Sequence, residues 1–456
     1  MKASERFDVA VIGGGVTGVA TARRLALDGL RVLLLEKGAD ILSGASKANS
    51  ALLHTGFDAP EGSLELNCMQ RGHAEFMALR EAANLPVLMT GAMVVAWTEA
   101  QEAALPEILA AAHRNGVTDA RLLSRAEILT REPQLGPQAR AAVLVPQEYV
   151  IDPWSPFHAY AQDILRAGGT IRRQCEVTAG EFDGQSWRIA TTSGTFRATS
   201  AVNCAGLYGD TIDAVFLGQT HFTIKPRKGQ FVVFDKAAAK LLRTIILPVP
   251  DARTKGVVLT PTIFGNLLVG PTAEETEDRA RATVTQPELQ MLLQRAVDIL
   301  PALRDMPVTA TYAGLRPATE LKAYRIHHNP ARNWVTVGGI RSTGLTAALG
   351  LARHVAELLG TVPGPVAVAS NPMPNLAEHL LRDWQTQGYG EIVCHCEMVT
   401  RREIEAALAS PFPPGDLGGL KRRTRCAMGR CQGFNCMGRI AELTRGRLSP
   451  DIAVAE

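Results

Sequence analysis

A glycine-rich turn set between two apolar runs constrains this chain more than any other feature. Phe7–Ile12 is apolar, Gly13-Gly14-Gly15-Val16-Thr17-Gly18 reads G-x-G-x-x-G, and Val19–Leu27 carries a helical pattern. Arg31–Leu35 is a second apolar run, closed by Glu36. The order predicts strand, turn, helix, strand: a βαβ unit. The glycine spacing alone is a weak signal. The strand before it, the helix after it and an acid ending the next strand make it a strong one for dinucleotide binding. Gly13 allows the tight turn, Gly15 lets the backbone approach a pyrophosphate, and Gly18 allows the helix to pack on the strand. The helix N-terminus favours the phosphate charge. Glu36 can accept hydrogen bonds from the adenosine ribose, and the adjacent Lys37 is assigned to the same cofactor.

A second glycine-rich strand–turn–helix comes late, from Val335 through Gly338-Gly339-Ile340-Arg341-Ser342-Thr343-Gly344 to Leu345 and Thr346. A helix starting at Gly344–Thr346 can aim its amides at a flavin ring carbonyl, where negative charge builds up on reduction. A mobile nicotinamide dinucleotide has no evident use for such a second site, so FAD is the better reading. Between these segments the pattern predicts helices at Leu64–Ala83, Pro156–Arg166, Pro287–Leu300 and Leu345–Leu359. Strands are expected at Thr170–Val177 and Ala201–Ala205 and near Thr309 and Trp334. Short Gly- and Pro-bounded runs across 220–270 predict an antiparallel sheet.

The expected fold is α/β, a Rossmann-like FAD-binding domain with an inserted α+β substrate domain and a small C-terminal cysteine-rich iron–sulfur domain. The FAD-binding pieces are expected at 1–75, 155–215 and 325–361, and the substrate-side pieces at 76–154 and 216–324. A linker over 362–389 and the cysteine unit over 390–450 complete the chain.

With 456 residues, 46% hydrophobic and 20% charged, the chain can bury a sizeable core. A net charge of +3 gives no argument for nucleic acid or an anionic membrane as partner. The start of the chain has no signal-peptide pattern, and the uncharged stretch Leu358–Ala377 is broken by Pro363, Pro365, Pro372 and Pro374. A cytoplasmic protein is expected, meeting a membrane only through a partner. Of eight cysteines, Cys394, Cys396, Cys426, Cys431 and Cys436 crowd the C-terminal end. Two close pairs, Cys394/Cys396 and Cys431/Cys436, suit a tetrahedral S₄ site, either zinc or [2Fe–2S]. Structural zinc usually has two residues between paired cysteines, whereas the gaps here are one and four.

At Ser46-Lys-Ala-Asn49-Ser50-Ala-Leu-Leu-His54, Asn203-Cys-Ala-Gly206, Gly270-Pro-Thr-Ala-Glu274 and Gly314-Leu-Arg316-Pro317 the sequence resembles the D-amino-acid oxidase and glycerol-3-phosphate dehydrogenase superfamily. Within it the nearest group is the large subunit of anaerobic-type glycerol-3-phosphate dehydrogenases. The resemblance implies that Ser46, Asn49 and Ser50 line the flavin and its ribityl–phosphate arm. It implies that Val177 meets the adenine, that Ala205 and Gly206 pass close to the cofactor, and that Gly339, Arg341, Gly344, Leu345 and Thr346 surround the isoalloxazine. His54 and Arg316 are the expected catalytic residues. A neutral imidazole suits removal of a hydroxyl proton, and a guanidinium suits a bidentate clamp on phosphate or carboxylate. Lys228 and Lys255 read as solvated lysines, with anion contact the alternative.

Thr424-Arg425-Cys426-Ala427-Met428-Gly429-Arg430-Cys431 and the run to Cys436 resemble the bacterioferritin-associated-ferredoxin-like [2Fe–2S] domain. This favours a cluster over zinc, held by Cys394, Cys396, Cys431 and Cys436. Cys426 is a fifth thiol that the pattern does not need, either spare or a competing ligand. The basic run Lys421, Arg422, Arg423, Arg425 and Arg430 is expected to offset cluster charge or to dock an acidic partner.

The expected function is FAD-dependent oxidation of a secondary hydroxyl on a small anionic substrate, first of all glycerol 3-phosphate to dihydroxyacetone phosphate. Electrons would leave through the cluster to a partner subunit or quinone-linked acceptor. Two alternatives share the scaffold: a 2-hydroxyacid or amino-acid dehydrogenase, and a non-catalytic electron-transfer subunit.

Overall fold

A computed structural model describes residues 6–250, 256–364 and 372–453; Lys255 lies outside them. The N-terminal unit forms as the sequence predicts. β1 (Arg6–Ile12) and β2 (Val32–Leu35) pair in parallel, joined by α1 (Val16–Leu27). All four residues of β2 are buried because both faces are covered: Val32 and Leu34 pack in the main core with α1, and Leu33 and Leu35 in a second cluster with Trp187 and Trp334. The hydrogen-bonded order of the main path is Val177–Phe182, Trp187–Thr191, Gly194–Asn203, β1, β2, Thr170–Arg172. Trp334–Gly338 joins the end of Gly194–Asn203 in parallel, so the late glycine segment lands beside the first one.

The single strand expected over Thr170–Val177 is instead two. The chain leaves the sheet after Arg172 and returns at Val177, which opens an antiparallel meander instead of closing a central strand. The expected helices are present with ends shifted by a few residues, as Leu64–Leu79, Ser155–Arg166, Gln286–Ile299 and Gly344–Leu358.

A second, nine-stranded sheet carries Arg227–Phe234 paired antiparallel with Val308–Arg316. It is mixed, not purely antiparallel: Ile245–Pro248 runs parallel to Ala92–Ala96, a strand reached by a long crossover. A three-stranded sheet of Leu52–Leu53, Tyr149–Ile151 and Val87–Leu88 sits between the two large ones. Among the described residues no helix is long and apolar enough to cross a membrane.

The stretch read as a linker is, from residue 372, a docked strap. Met373, Leu376 and Ala377 are buried in the main core. The Met373 amide donates to Ala83 O at 2.9 Å, and Glu378 N donates to Ile263 O at 2.9 Å. Proline forbids a helix there but not an extended segment whose amides find partners on the body.

The C-terminal unit is a short hairpin (Ile392–Cys394 with Val399–Thr400) and three helices, Arg401–Ala409, Leu417–Thr424 and Met437–Thr444. They enclose a small core of Val393, Val399, Ile404, Leu420 and Ile440. Most of the basic run is turned inward, while Lys421 is half-buried and Arg430 exposed. Arg422, Arg423 and Arg425 are buried and bind groups inside the molecule. Arg423 pairs with Asp40 at 2.5 and 3.1 Å, Arg422 Nη2 donates to Ile41 O at 3.1 Å, and Arg425 pairs with Glu397 at 2.9 Å. Arg430 binds Asp235 at 2.7 Å. Guanidiniums with apolar stems can seal an interface between two units while their heads stay paired.

Candidate active site

The turn between β1 and α1 is shaped by what a side chain would strike. Gly13 has φ +107°, and a Cβ there would lie 2.5 Å from Cys204 O. A Cβ at Gly18 would lie 1.9 Å from Gly13 O, so only glycine lets the helix sit this close. Glu36 locks the loop from below, accepting from Gly14 N at 2.7 Å and Gly38 N at 2.6 Å. Burial raises its carboxyl above the usual range despite those amide donors. Ser46 Oγ accepts from Val16 N at 3.0 Å, which fixes the Ser46–Ser50 segment across the helix N-terminus. Asn49 accepts from Ala51 N at 2.8 Å and donates to Ser46 O at 3.2 Å. On the other side, fully buried Asn203 donates to Gly209 O and Asp213 and accepts from Ala205 N, holding the turn at Ala205–Gly206.

These pieces wall a cleft of about 1010 Å³ of space, partly open to solvent. Gly15, Ser46, Asn49, Ser50, Gly206, Arg316, Gly339, Arg341, Gly344 and Leu345 all line it. Residues far apart in the chain therefore meet around one elongated space that begins at a helix N-terminus, as a dinucleotide requires. Other expected site residues do not line it. Gly13, Gly18 and Ala205 shape the turns behind it. Glu36 binds the loop amides. Lys37 is exposed, with its ammonium 3.5 Å from the centre of the Tyr208 ring. Val177 packs at the edge of the Trp187 cluster.

His54 and Thr346 also lie just outside this lining. The His54 amide donates to Thr346 Oγ1 at 3.0 Å, beside cleft-lining Leu345. The His54 ring makes a contact that no motif announces: Nδ1 lies 2.7 Å from Glu148 Oε2. Glu148 is fully buried and its Oε1 accepts from Thr55 N at 2.6 Å and Thr55 Oγ1 at 2.8 Å. It sits in the turn before Tyr149–Ile151, with no motif around it.

Arg316 ends its strand inside the cleft and donates to Thr272 O at 2.8 Å. Among the described residues neither Arg316 nor Arg341 has a carboxylate ion-pair partner, although both face the cleft. Arg227, cross-strand neighbour of Arg316, adds a third guanidinium behind the cleft, itself paired with Glu275 at 3.3 Å. Burial lowers the Arg316 pKa to about 10, and the Arg227 and Arg341 charges push it the same way. Three cations this close favour an anion between them. Lys228 is not a solvated lysine: it pairs with Glu274 at 3.1 Å.

In the cysteine unit, Cys394 and Cys436 are buried while Cys396 and Cys431 are partly exposed. The sulfurs are neighbours in two pairs, Cys394 with Cys436 and Cys396 with Cys431. Among the described residues no three His, Cys, Asp or Glu side chains converge on a single ion position. Amides of Asn435, Gly433 and Phe434 point at the Cys431 sulfur and favour its thiolate. Two thiol pairs with amide donors suit a two-iron cluster, which takes four cysteine ligands. Cys426 lies near the buried pair; burial pushes its thiol up to about 11 against a hydrogen bond to Thr424.

The family model described as FAD dependent oxidoreductase matches residues 8–358, which is most of the chain. The chain belongs to the FAD dependent oxidoreductase family. Residues 392–445 of this oxidoreductase match the BFD-like [2Fe-2S] binding domain, so its cofactors are FAD and a [2Fe–2S] cluster. It is similar to a glycerol 3-phosphate dehydrogenase of Caloramator mitchellensis, 32% identical over 99% of this chain and 96% of that one. It is also similar to anaerobic glycerol-3-phosphate dehydrogenase subunit A1 of Haloferax volcanii, at 27% identity over 95% of this chain and 82% of the relative. Among solved structures, dithionite-reduced L-alpha-glycerophosphate oxidase from Mycoplasma pneumoniae with FAD bound matches with TM-score 0.76 and 26% identity. That match covers 81% of this chain and all of the other. The oxidoreductase is thus glycerol-3-phosphate dehydrogenase-like over both its flavin and its iron–sulfur parts.

Proposed function

We propose that this flavoenzyme oxidises glycerol 3-phosphate to dihydroxyacetone phosphate and passes the electrons through its [2Fe–2S] cluster to a partner subunit or quinone-linked acceptor. The observation that carries the substrate assignment is the group of three guanidiniums, Arg316, Arg341 and Arg227, of which Arg316 and Arg341 face the cleft without a carboxylate partner. A phosphate dianion matches such a cluster better than a single carboxylate does. When bound, FAD supplies a two-electron acceptor for hydride. The chain's own residues do the rest. Arg316 and Arg341 clamp the phosphate and hold the substrate carbon in one orientation. His54 takes the hydroxyl proton as the hydride leaves carbon, so two electrons and two hydrogens depart and a ketone remains. Cys394, Cys396, Cys431 and Cys436 hold the cluster, which passes electrons on singly.

The test is anaerobic titration with glycerol 3-phosphate while following the flavin absorbance band. Bleaching at micromolar to millimolar substrate is expected. A flavin that bleaches with 2-hydroxyglutarate or an amino acid, and not with glycerol 3-phosphate, overturns the substrate. A flavin reduced only by dithionite overturns the dehydrogenase role in favour of an electron-transfer subunit.

A further inference from the structure

We infer that Glu148 is a positioning residue for the reaction, acting through His54; the inference rests on His54 being the base that takes the hydroxyl proton. A carboxylate can only accept, so the 2.7 Å contact puts the imidazole proton on Nδ1. The ring's lone pair is then on Nε2, the nitrogen facing away from Glu148, where a proton can be received. Without the carboxylate the two tautomers of a neutral imidazole compete, and the one protonated on Nε2 is inactive as a base.

The surroundings hold Glu148 rigidly for this task. It is fully buried, and its second oxygen is taken by the Thr55 amide and hydroxyl at 2.6 and 2.8 Å. Its carbonyl accepts from Thr90 Oγ1 at 3.5 Å. The carboxylate therefore cannot turn away from the ring, and two residues next to each other in the chain, His54 and Thr55, are fixed by one side chain. A buried anion with amide and hydroxyl donors but, among the described residues, no arginine or lysine is costly unless a cation forms beside it. Proton transfer from substrate supplies that cation: the O–H bond breaks, the proton goes to His54 Nε2, hydride goes to the flavin, and the imidazolium forms against Glu148. Among the described residues a further titratable group facing this pair is His73 on Leu64–Leu79, whose Nε2 lies 3.2 Å from Gln147 O. Burial lowers the pKa of His73, so it stays neutral and does not replace His54 as the cation.

The experiment is stopped-flow reduction of the holoenzyme flavin by glycerol 3-phosphate across pH, in Glu148→Gln, Glu148→Asp, His54→Asn and the Glu148→Gln/His54→Asn double variant. FAD content and dithionite reducibility are measured on each. Glu148→Gln is expected to slow the limiting reduction rate roughly a hundredfold with half-saturation unchanged. Its acid limb should move to lower pH, because removing a neighbouring anion makes the imidazole harder to protonate. Glu148→Asp should recover part of the rate, and the double variant should be no slower than His54→Asn alone. Wild-type rate and an unmoved acid limb in Glu148→Gln overturn the inference, as does a loss that persists undiminished without His54. If Glu148→Gln loses FAD, Glu148→Asp takes its place, and an unmoved limb there overturns it equally. A normal rate in His54→Asn sinks the assignment of the base itself, a different failure with its own signature.

Discussion

Gly229 leaves the room that the proposed Arg316 clamp needs. A Cβ there would lie 2.3 Å from Arg316 Nη2 and 2.9 Å from Pro271 Cβ. Gly229→Ala is therefore expected to push the guanidinium off its bond to Thr272 O and raise KM for glycerol 3-phosphate about 10- to 100-fold. That is the range of one charge-assisted hydrogen bond. FAD content should not change, and steady-state kinetics beside a flavin spectrum would check both halves. Gly18→Ala should do the reverse. Its Cβ would meet Gly13 O at 1.9 Å, the helix must lift off the strand, and the protein should purify without FAD. Cys426 invites a third substitution. It is buried and bonded to Thr424, so Cys426→Ser should keep two irons per chain in a metal assay; loss of iron would make Cys426 a ligand.

The decisive helix is the short one at Leu417–Thr424. It carries Arg422 and Arg423 on its last turn and runs directly into the cysteine loop. Both guanidiniums reach the loop after Glu36: Arg423 grips Asp40, Arg422 binds Ile41 O, and Gly415 N donates to Asp40 at 3.3 Å. The cysteine unit thus sits on the loop that follows Glu36, the acid that holds the glycine turn. Arg423→Met leaves Asp40 buried with only the 3.5 Å contact to Arg173 and an amide or two. Removing one partner of a buried pair costs about 3–5 kcal/mol. The variant should melt lower and release FAD faster on dilution, read by recovery of free-flavin fluorescence. An unchanged release rate would separate the cysteine unit from FAD retention.

Across the whole molecule, carboxylates tie separate layers together. Asp210 binds Arg279 at 2.6 and 2.8 Å, joining the nucleotide sheet's side to the loop before Gln286–Ile299. Asp235 binds Arg430, joining the nine-stranded sheet to the cysteine unit. Burial opposes ionisation of each, but Arg279 at Asp210, and the Ala237 amide with Arg430 at Asp235, outweigh it and hold both below the ordinary 3.8. A depressed carboxyl stabilises the fold above its unfolded pKa and loses that contribution as pH falls through its folded value. The wild type should therefore melt above Asp235→Asn at pH 7, with the gap closing as pH drops below about 4. A gap that widens on acidification would contradict the sign.

Much of this protein was legible without coordinates, for a physical reason. The glycine turn, Glu36 and the late Gly338–Thr346 segment are local solutions to a local problem: bringing backbone amides against a phosphate or a flavin. The chemistry dictates residue types at fixed spacing, and so do the cysteines. Contacts between distant segments leave no such trace. Nothing in the sequence near Glu148 says that it will hold His54 from 94 positions away, and Arg227 becomes a neighbour of Arg316 only through strand register. From its sequence the basic run is expected to offset cluster charge or dock an acidic partner. Tertiary structure buried Arg422, Arg423 and Arg425 and left Arg430 exposed, pairing each guanidinium with a carboxylate or carbonyl supplied by another part of the chain. Sequence alone determined the cofactor-binding turns and the cysteine framework. Packing decided which charges face the cleft, which seal the interface, and which carboxylate holds the histidine.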